Sequence, residues 1–233
     1  MGTGKGGPHD PVIEAIAARA LGLVKDGATV GLGSGRAATA FIRALGERFR
    51  DGLRLRGVPT SEASAAVARE YGIPLVGLDE VENIDVTVDG ADEVDPQLDM
   101  IKGYGAALLR ERIVADCSRQ RVILVGEEKL VGRLGSRGIV PVEVVPFAAA
   151  FCSRRLAALG GRPQMRKKDG SPLVTDNGNH IIDCGVDPLD SPREFDAAVR
   201  AISGVVGTGL FLGIADLVLV GEAAGIREMK RPG

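Results

Sequence analysis

Acidic and basic side chains with the potential for chemistry are concentrated in the segment 84–117. An alternating apolar run of strand type ends in the acidic turn 89–92 (Asp-Gly-Ala-Asp), and Lys102 follows on a Gly-Tyr-Gly hinge. Residues 107–117 have a helical pattern that places Glu111 within an apolar stripe. A carboxylate is costly to bury, so such a residue needs a partner or a task. The segment therefore predicts a proton-transfer site made of Asp89, Asp92, Lys102 and Glu111.

Two alternatives to proton transfer exist for these residues. Glu111 could form a structural ion pair with Arg110 or Arg112, but neighbours in sequence point to other sides of a helix. The two aspartates could chelate a magnesium ion, since carboxylates at strand ends often do. Lys102, however, would supply positive charge in the same cleft, which a metal site does not need. We therefore expect a proton-transfer site without a metal.

A second candidate site follows the predicted strand 28–32, which opens into the glycine-rich turn 33–39 at the start of a helix. Free backbone N–H groups and the helix dipole favour an anion at such a position. A dinucleotide is disfavoured because Arg36 stands where a third glycine is required, and strand 53–59 ends without the acidic residue that binds a ribose. The turn therefore predicts a site for the phosphate or hydroxyl groups of a small ligand.

Lys129 occupies a similar position just after the predicted strand 121–125. Because two glutamates precede it directly, an ordinary solvated turn is the alternative interpretation. Up to residue 137, strands alternate with helices, which predicts a mostly parallel sheet with sites at the carboxyl ends of its strands. The three candidate segments all lie at such strand ends, so we expect them to meet in one cleft.

The pattern changes after residue 138. An Asn-Gly turn at 177–178 separates two apolar runs, which is a strong signal for an antiparallel hairpin. The chain then returns with the apolar strand 216–220. The predicted fold class is α/β, with one domain formed by residues 1–137 and 208–233 and a smaller inserted α+β domain formed by residues 138–207.

Composition narrows the range of partners. The chain has 233 residues, a net charge of −2 and 3% aromatic residues, which disfavours nucleic acid as a partner. No segment has the length of a membrane span. The three cysteines lack metal-binding spacing and are typical of reduced thiols in a cytoplasmic protein. Residues 1–9 match only half of a phosphate loop and are expected to be a disordered or expression-derived leader.

A carboxylate base, a lysine and a phosphate cradle suit proton abstraction next to a carbonyl group on a small phosphorylated substrate. A positioned base contributes roughly 10²–10⁴ in rate, which is not enough for a weak carbon acid. The developing enediolate oxygen therefore needs donors, each contributing on the order of 10²–10³. Lys102, the backbone N–H groups after Gly103 and a protonated aspartate are the candidates.

Several motifs along the chain resemble those of the type A ribose-5-phosphate isomerase family. They cover about residues 15–220 in the family's order and read GLGSGRAATAFI, VDGADEVD, MIKGYGAALLRERI, VTDNGNHIID and GVVGTGLF. The resemblance implies a Rossmann-like domain with a smaller ferredoxin-like domain. It also implies interconversion of ribose 5-phosphate and ribulose 5-phosphate in the pentose phosphate pathway, without metal or organic cofactor, by a homodimer or a dimer of dimers.

The resemblance also implies roles for individual positions. Glu111 matches the proton acceptor, and Asp89 matches the group that assists ring opening or transfer of a hydroxyl proton. Asp92 and Lys102 match positions beside the reacting oxygens. The positions implied in substrate binding are Ser34, Gly35, Arg36, Ala37, Asp89, Gly90, Ala91, Asp92, Lys102, Gly103, Tyr104, Gly105 and Lys129.

The chain departs from the family pattern at three places. The loop that usually reads G-T-G-S-T has Arg36 and Ala37 in two hydroxyl positions, and Tyr104 replaces a glycine. The residues just before Lys129 read Gly126-Glu127-Glu128 and lack the aspartate that the family usually has there. Arg36 would either bind the phosphate or narrow the pocket. The alternative function is a non-catalytic sugar-phosphate-sensing domain, which would have no use for Glu111 on an apolar stripe.

Overall fold

The structure, a computed structural model, describes residues 10–231. The helices are α1 (Pro11–Leu21), α2 (Arg36–Arg50), α3 (Glu62–Glu70), α4 (Leu108–Asp116), α5 (Ala149–Ala158) and α6 (Pro192–Arg200). The strands are β1 (Ala28–Leu32), β2 (Leu55–Pro59), β3 (Val86–Gly90), β4 (Glu93–Val94), β5 (Met100–Ile101), β6 (Arg121–Gly126), β7 (Ile139–Val144), β8 (Arg162–Met165), β9 (Lys167–Lys168), β10 (Ser171–Pro172), β11 (His180–Gly185), β12 (Val205–Thr208), β13 (Leu210–Phe211), β14 (Leu217–Glu222) and β15 (Gly225–Lys230). Short 3₁₀ turns lie at Leu78–Glu80, Glu127–Lys129 and Pro146–Ala148.

The larger sheet has the strand order β15-β14-β6-β3-β1-β2, and every neighbouring pair is parallel except β14 and β15. All five residues of β1 are buried, as are four of the six in β6. Continuous apolar strands of this kind are required where both faces of a sheet are covered. Helices α1 and α2 cover one face, and α4 packs with the second sheet on the other. The predicted mostly parallel α/β sheet is confirmed.

The second sheet is antiparallel, with the order β12-β7-β11-β8. Together with α5 and α6 it gives the chain order β-α-β-β-α-β, the ferredoxin-like arrangement that was predicted. Ile181 on β11 packs in one cluster with Leu108 of α4 and Phe211 of β13, so this sheet borders the helix that carries Glu111. The domain boundaries at residues 138 and 207 remain a prediction, because two apolar clusters contain residues from both sides of these boundaries.

Three local features differ from the sequence prediction. The apolar stretch 73–76 predicts a short strand, but only Leu75 bridges Gly57, and Pro74 has no N–H for a ladder. The predicted hairpin has its turn, but its first arm forms only one bridge, between Val174 and His180 at the start of β11. Strand β15 was not predicted, since it is mostly exposed and weakly apolar at the sheet edge.

Two further expectations concern the chain as a whole. All three cysteines are free thiols, with Cys152 and Cys184 buried. Between residues 10 and 231, no helix combines the length and hydrophobicity that crossing a bilayer requires. The leader predicted at residues 1–9 lies outside the described residues.

Candidate active site

The candidate segments meet at the carboxyl edge of the larger sheet, because β1, β3 and β6 are parallel neighbours. A cavity of about 220 Å³ lies there, a size suited to a ligand smaller than a typical drug. Its lining contains most of the predicted site residues: Ser34, Gly35, Arg36, Ala37, Gly90, Ala91, Asp92, Lys102, Gly103, Gly105, Glu111 and Lys129. Asp89 lies beside this lining. Tyr104, the other predicted residue outside the lining, is 37% exposed.

Glu111 is buried on α4, with only 6% of its surface exposed. The residues predicted to surround it on the apolar stripe, Ala107, Leu108, Val114 and Ala115, are buried as well. One carboxylate oxygen, Oε1, lies 3.4 Å from the ammonium of Lys102. The other, Oε2, is buried and has no hydrogen-bond partner among residues 10–231. An acceptor held at one oxygen and unpaired at the other is poised to take up a proton.

The neighbouring arginines do not serve Glu111. Arg110 donates to the Asn177 side chain and pairs with Glu62, while Arg112 donates to the carbonyl of Leu210. The alternative of a structural ion pair within α4 is therefore wrong.

Lys102 lies between the two buried carboxylates. Its Nζ is 3.0 Å from Asp89 Oδ2 and 3.4 Å from Glu111 Oε1, and it also donates to the carbonyl of Gly90. The three N–H bonds of the ammonium thus have three acceptors. Gly103, the next residue, has a φ of +104°, and a Cβ there would lie 2.7 Å from Leu108 Cδ2. Only glycine fits this turn, which leads from Lys102 into α4.

Asp89 is fixed by donors from its own loop and from the glycine-rich turn. Its Oδ1 accepts the N–H groups of Ser34 at 3.0 Å and Gly90 at 2.7 Å. Asp92 is half-buried, and its Oδ2 accepts the backbone N–H of Tyr104 at 3.0 Å. The structure therefore brings Asp89, Asp92, Lys102 and Glu111 together, and Tyr104 contributes its backbone.

The electrostatics of this group favour acid–base chemistry. Burial raises the pKa of Glu111 to about 8; the charge of Asp89 adds to this shift and Lys102 opposes it. Burial lowers the pKa of Lys102, but Asp89 and Glu111 outweigh that effect and raise it to about 12. A base that exchanges its proton near neutral pH thus lies beside a cation that keeps its charge.

The lining of the cavity also offers anion-binding groups. Helix α2 begins at Arg36 without a side-chain cap, so the N–H groups of its first turn are available. Ser34 Oγ is oriented by the hydroxyls of Thr60 at 2.8 Å and Ser61 at 2.7 Å. The Lys129 ammonium has no hydrogen-bond or ion-pair partner in the described part of the chain, so it is available to a ligand.

Arg36 is occupied at the rim of the cavity. Its guanidinium donates to Asp10 Oδ2 at 2.9 Å, and its side chain is 80% exposed. Asp10 also caps α1, whose Ile13 lines the cavity. Arg36 thus ties α1 to the glycine-rich turn.

Sequence reasoning missed several residues of the site. Ile13 and Glu128 line the cavity, and Thr60 and Ser61 orient Ser34. For the two hydroxyl residues a signal existed, because they follow β2, whose end lies at the same edge of the sheet. Within the range 10–231, no group of three or more His, Cys, Asp or Glu side chains is placed to hold a metal ion.

Comparison with known proteins identifies the family of the chain. Residues 56–225 match the family model of ribose 5-phosphate isomerase A (phosphoriboisomerase A). The ribose-5-phosphate isomerase A of Roseiflexus sp. is 48% identical over 222 residues, covering 94% of this chain and 95% of that protein.

Two solved structures match nearly the whole chain. The enzyme of Methanocaldococcus jannaschii is 41% identical with a TM-score of 0.90, covering 94% of this chain and 98% of its own. A D-ribose-5-phosphate isomerase in complex with phospho-erythronic acid is 39% identical with a TM-score of 0.92, covering 95% and 98%. The chain belongs to the ribose 5-phosphate isomerase A family.

Proposed function

We propose that this protein interconverts D-ribose 5-phosphate and D-ribulose 5-phosphate through an enediolate, with Glu111 as the base. The observation that carries the proposal is the buried Glu111 Oε2, which has no partner among residues 10–231 and belongs to a residue that lines the cavity. A non-catalytic sensor has no need for a carboxylate whose pKa is raised in this way. The related isomerase bound to phospho-erythronic acid supports a phosphorylated sugar as the ligand.

In the proposed reaction, Asp89 assists opening of the sugar ring by moving a hydroxyl proton. Glu111 then removes the proton from C2, the C–H electron pair forms the C1–C2 double bond, and the carbonyl electrons move to O1. Glu111 returns the proton to C1 while the hydroxyl proton on O2 is transferred to O1, so that the ketone forms at C2. Each atom and electron is accounted for without an external oxidant.

Lys102 and the backbone donors near it stabilise the enediolate. The ammonium is already desolvated beside Asp89 and Glu111, so its charge acts at low local dielectric. One of its contacts, to Glu111 at 3.4 Å, is long enough to be exchanged for the substrate oxygen. Asp92, held by the Tyr104 N–H, binds the sugar hydroxyls from the other side of the hinge.

The phosphate group binds at the start of α2 and beside Lys129. Backbone N–H groups of the turn 34–37 and the helix dipole favour a dianion at this point. The unpaired Lys129 ammonium supplies the balancing charge. Together these groups place the phosphate at one end of the cavity and the reacting carbons near Glu111 at the other.

The pathway, the cellular location, the absence of a metal and the oligomeric state are proposed from the chemistry of the site and from the family. We place the reaction in the non-oxidative pentose phosphate pathway of the cytoplasm, without a metal, because Lys102 provides the cation between the carboxylates. We also propose a homodimer or dimer of dimers. The exposed apolar residues Val145, Phe147 and Phe151, with Phe147 fully exposed, support association through the start of α5.

An aldose–ketose assay tests the proposal. Ribose 5-phosphate is incubated with the protein in the presence of a chelator, and ribose without a phosphate serves as the control substrate. We expect turnover of the phosphorylated sugar only, unaffected by the chelator. Binding of ribose 5-phosphate without turnover would instead establish a sensor, and loss of turnover in chelator would establish a metal enzyme.

A further inference from the structure

A side chain from the second sheet reaches the hinge that carries Lys102. Arg166 lies directly after β8, and its Nη1 donates to the carbonyls of Gly103 at 2.8 Å and Tyr104 at 3.1 Å. The residue does not line the cavity, so it has no contact with the substrate in the proposed reaction. It therefore acts on the hinge from the side opposite to the chemistry.

Arg166 is itself held rigidly. Its Nε donates to Asp183 Oδ2 at 2.9 Å and its Nη2 to Asp183 Oδ1, which forms a two-point ion pair. The side chains are 15% and 21% exposed, so the pair is largely shielded from solvent. Asp183 belongs to β11, and the backbone N–H of Arg166 bonds to the carbonyl of Ile181 on that strand. The guanidinium is thus fixed to the framework of the second sheet.

The geometry of the peptide bond connects this pair to the site. In a trans peptide the C=O and N–H groups point in opposite directions, and no cis peptide occurs in the part of the chain described. Holding the Gly103 carbonyl at Arg166 therefore directs the N–H of Tyr104 to the other side, where it meets Asp92 Oδ2 at 3.0 Å. The same carbonyl also accepts the backbone N–H of Ala106 at 3.0 Å, so Arg166 adds a second donor to a peptide that glycine alone would leave free to rotate.

We propose that Arg166, oriented by Asp183, is a positioning residue that fixes the hinge 102–105 so that Lys102 and Asp92 face the substrate. The inference rests on the proposed isomerase function and adds a residue on the second sheet to its machinery. It also explains why that sheet borders the site although none of its residues lines the cavity.

The test compares Arg166→Gln with the matched variant Arg162→Gln. Arg162 lies on the same stretch of chain and pairs with Asp187, but both side chains are well exposed. For Arg166→Gln we expect kcat/KM to fall by about 10²-fold, the cost of an active-site displacement near 1 Å. The acidic limb of its kcat/KM profile should also move to higher pH, since a displaced Lys102 no longer lowers the pKa of Glu111. Arg162→Gln should behave as the wild type.

A purely structural role gives a different result. It would reduce the active fraction of the protein while leaving KM and the pH profile of the remaining enzyme unchanged, and that outcome overturns the inference. If Arg166→Gln does not fold, Arg166→Lys and Asp183→Asn replace it, because each keeps part of the contact. Both variants should show a smaller fall in kcat/KM and a smaller move of its acidic limb to higher pH. Wild-type kcat/KM and a wild-type pH profile in both folded proteins would refute the positioning role. Inactivity of the wild type on ribose 5-phosphate would refute the proposed function instead.

Discussion

Replacing Glu111 by glutamine tests the central residue most directly. Glutamine keeps the shape of the side chain and can still accept from Lys102 through its oxygen, but it cannot take up a proton at neutral pH. Because a positioned base contributes roughly 10²–10⁴ in rate, we expect kcat to fall by at least about 10²-fold. The groups proposed to bind the phosphate do not include Glu111, so the affinity for ribose 5-phosphate should stay within several-fold of the wild type.

The same substitution should stabilise the protein. Burial and Asp89 raise the pKa of Glu111 from its ordinary value of 4.5 to about 8, so the folded state favours the protonated form. That contribution to stability is complete below about pH 4.5 and is lost as the pH rises to about 8. At roughly 1.4 kcal/mol per pH unit, the difference between these two pKa values limits the gain in free energy of unfolding to about 5 kcal/mol. Because the Lys102 ammonium favours the charged form of Glu111, we expect a smaller gain of about 1–2 kcal/mol, the range of single stabilising substitutions.

Thermal unfolding at several pH values measures this gain. A gain of 1–2 kcal/mol corresponds to an increase in Tm of about 2–8 °C for a chain of this size, which should be present at pH 8.5 and absent near pH 4.5. Asp116→Asn is the matched control, because Asp116 lies on the same helix and is exposed. A Glu111→Gln protein that retains wild-type turnover, or whose Tm difference does not change with pH, would refute the assigned role of a buried proton acceptor.

Four further predictions concern other parts of the molecule. Asp89→Asn should move the acidic limb of kcat/KM to lower pH, because Asp89 raises the pKa of Glu111; an unchanged limb in a pH–rate profile would contradict this coupling. Lys129→Gln should raise KM for ribose 5-phosphate by about 10-fold or more with a smaller effect on kcat, as steady-state kinetics will measure. Arg36→Thr breaks only an exposed ion pair, so calorimetry should find a change in stability of less than about 1 kcal/mol. Phe147→Glu should reduce the molar mass measured by light scattering, and an unchanged mass would exclude this surface from the interface.

Local sequence patterns were sufficient to predict many features of the fold and of the candidate site. The spacing of apolar residues around Glu111 predicted its burial, because helical periodicity is set by neighbours only three or four positions away. The position of Asp89 and Lys129 at strand ends predicted that they approach one cavity, since parallel strands end at one edge of a sheet. The roles assigned to these residues remain predictions, because they depend on the bound substrate.

Contacts between distant segments were beyond local reasoning. The hydroxyls of Thr60 and Ser61 reach Ser34 only because β2 pairs with β1, and Arg166 reaches Gly103 across 63 positions in sequence. Nothing in the local pattern distinguishes Arg166 from the exposed Arg162 close by, since both read as charged residues near a strand. Their different burial is decided by which partner the sheet register places opposite each of them.

The glycine-rich end of β1 shows why one pattern can have two physical causes. Glycine at this position suggested a turn shaped for an anion, yet Gly33 is also required by the packing of the acidic loop. A Cβ on Gly33 would lie 2.3 Å from Asp89 Oδ1, and one on Gly31 would lie 1.9 Å from Thr87 Oγ1. The close approach of β1 and β3 allows the Ser34 N–H to bind Asp89, so the segment proposed to bind phosphate also fixes a proposed catalytic carboxylate.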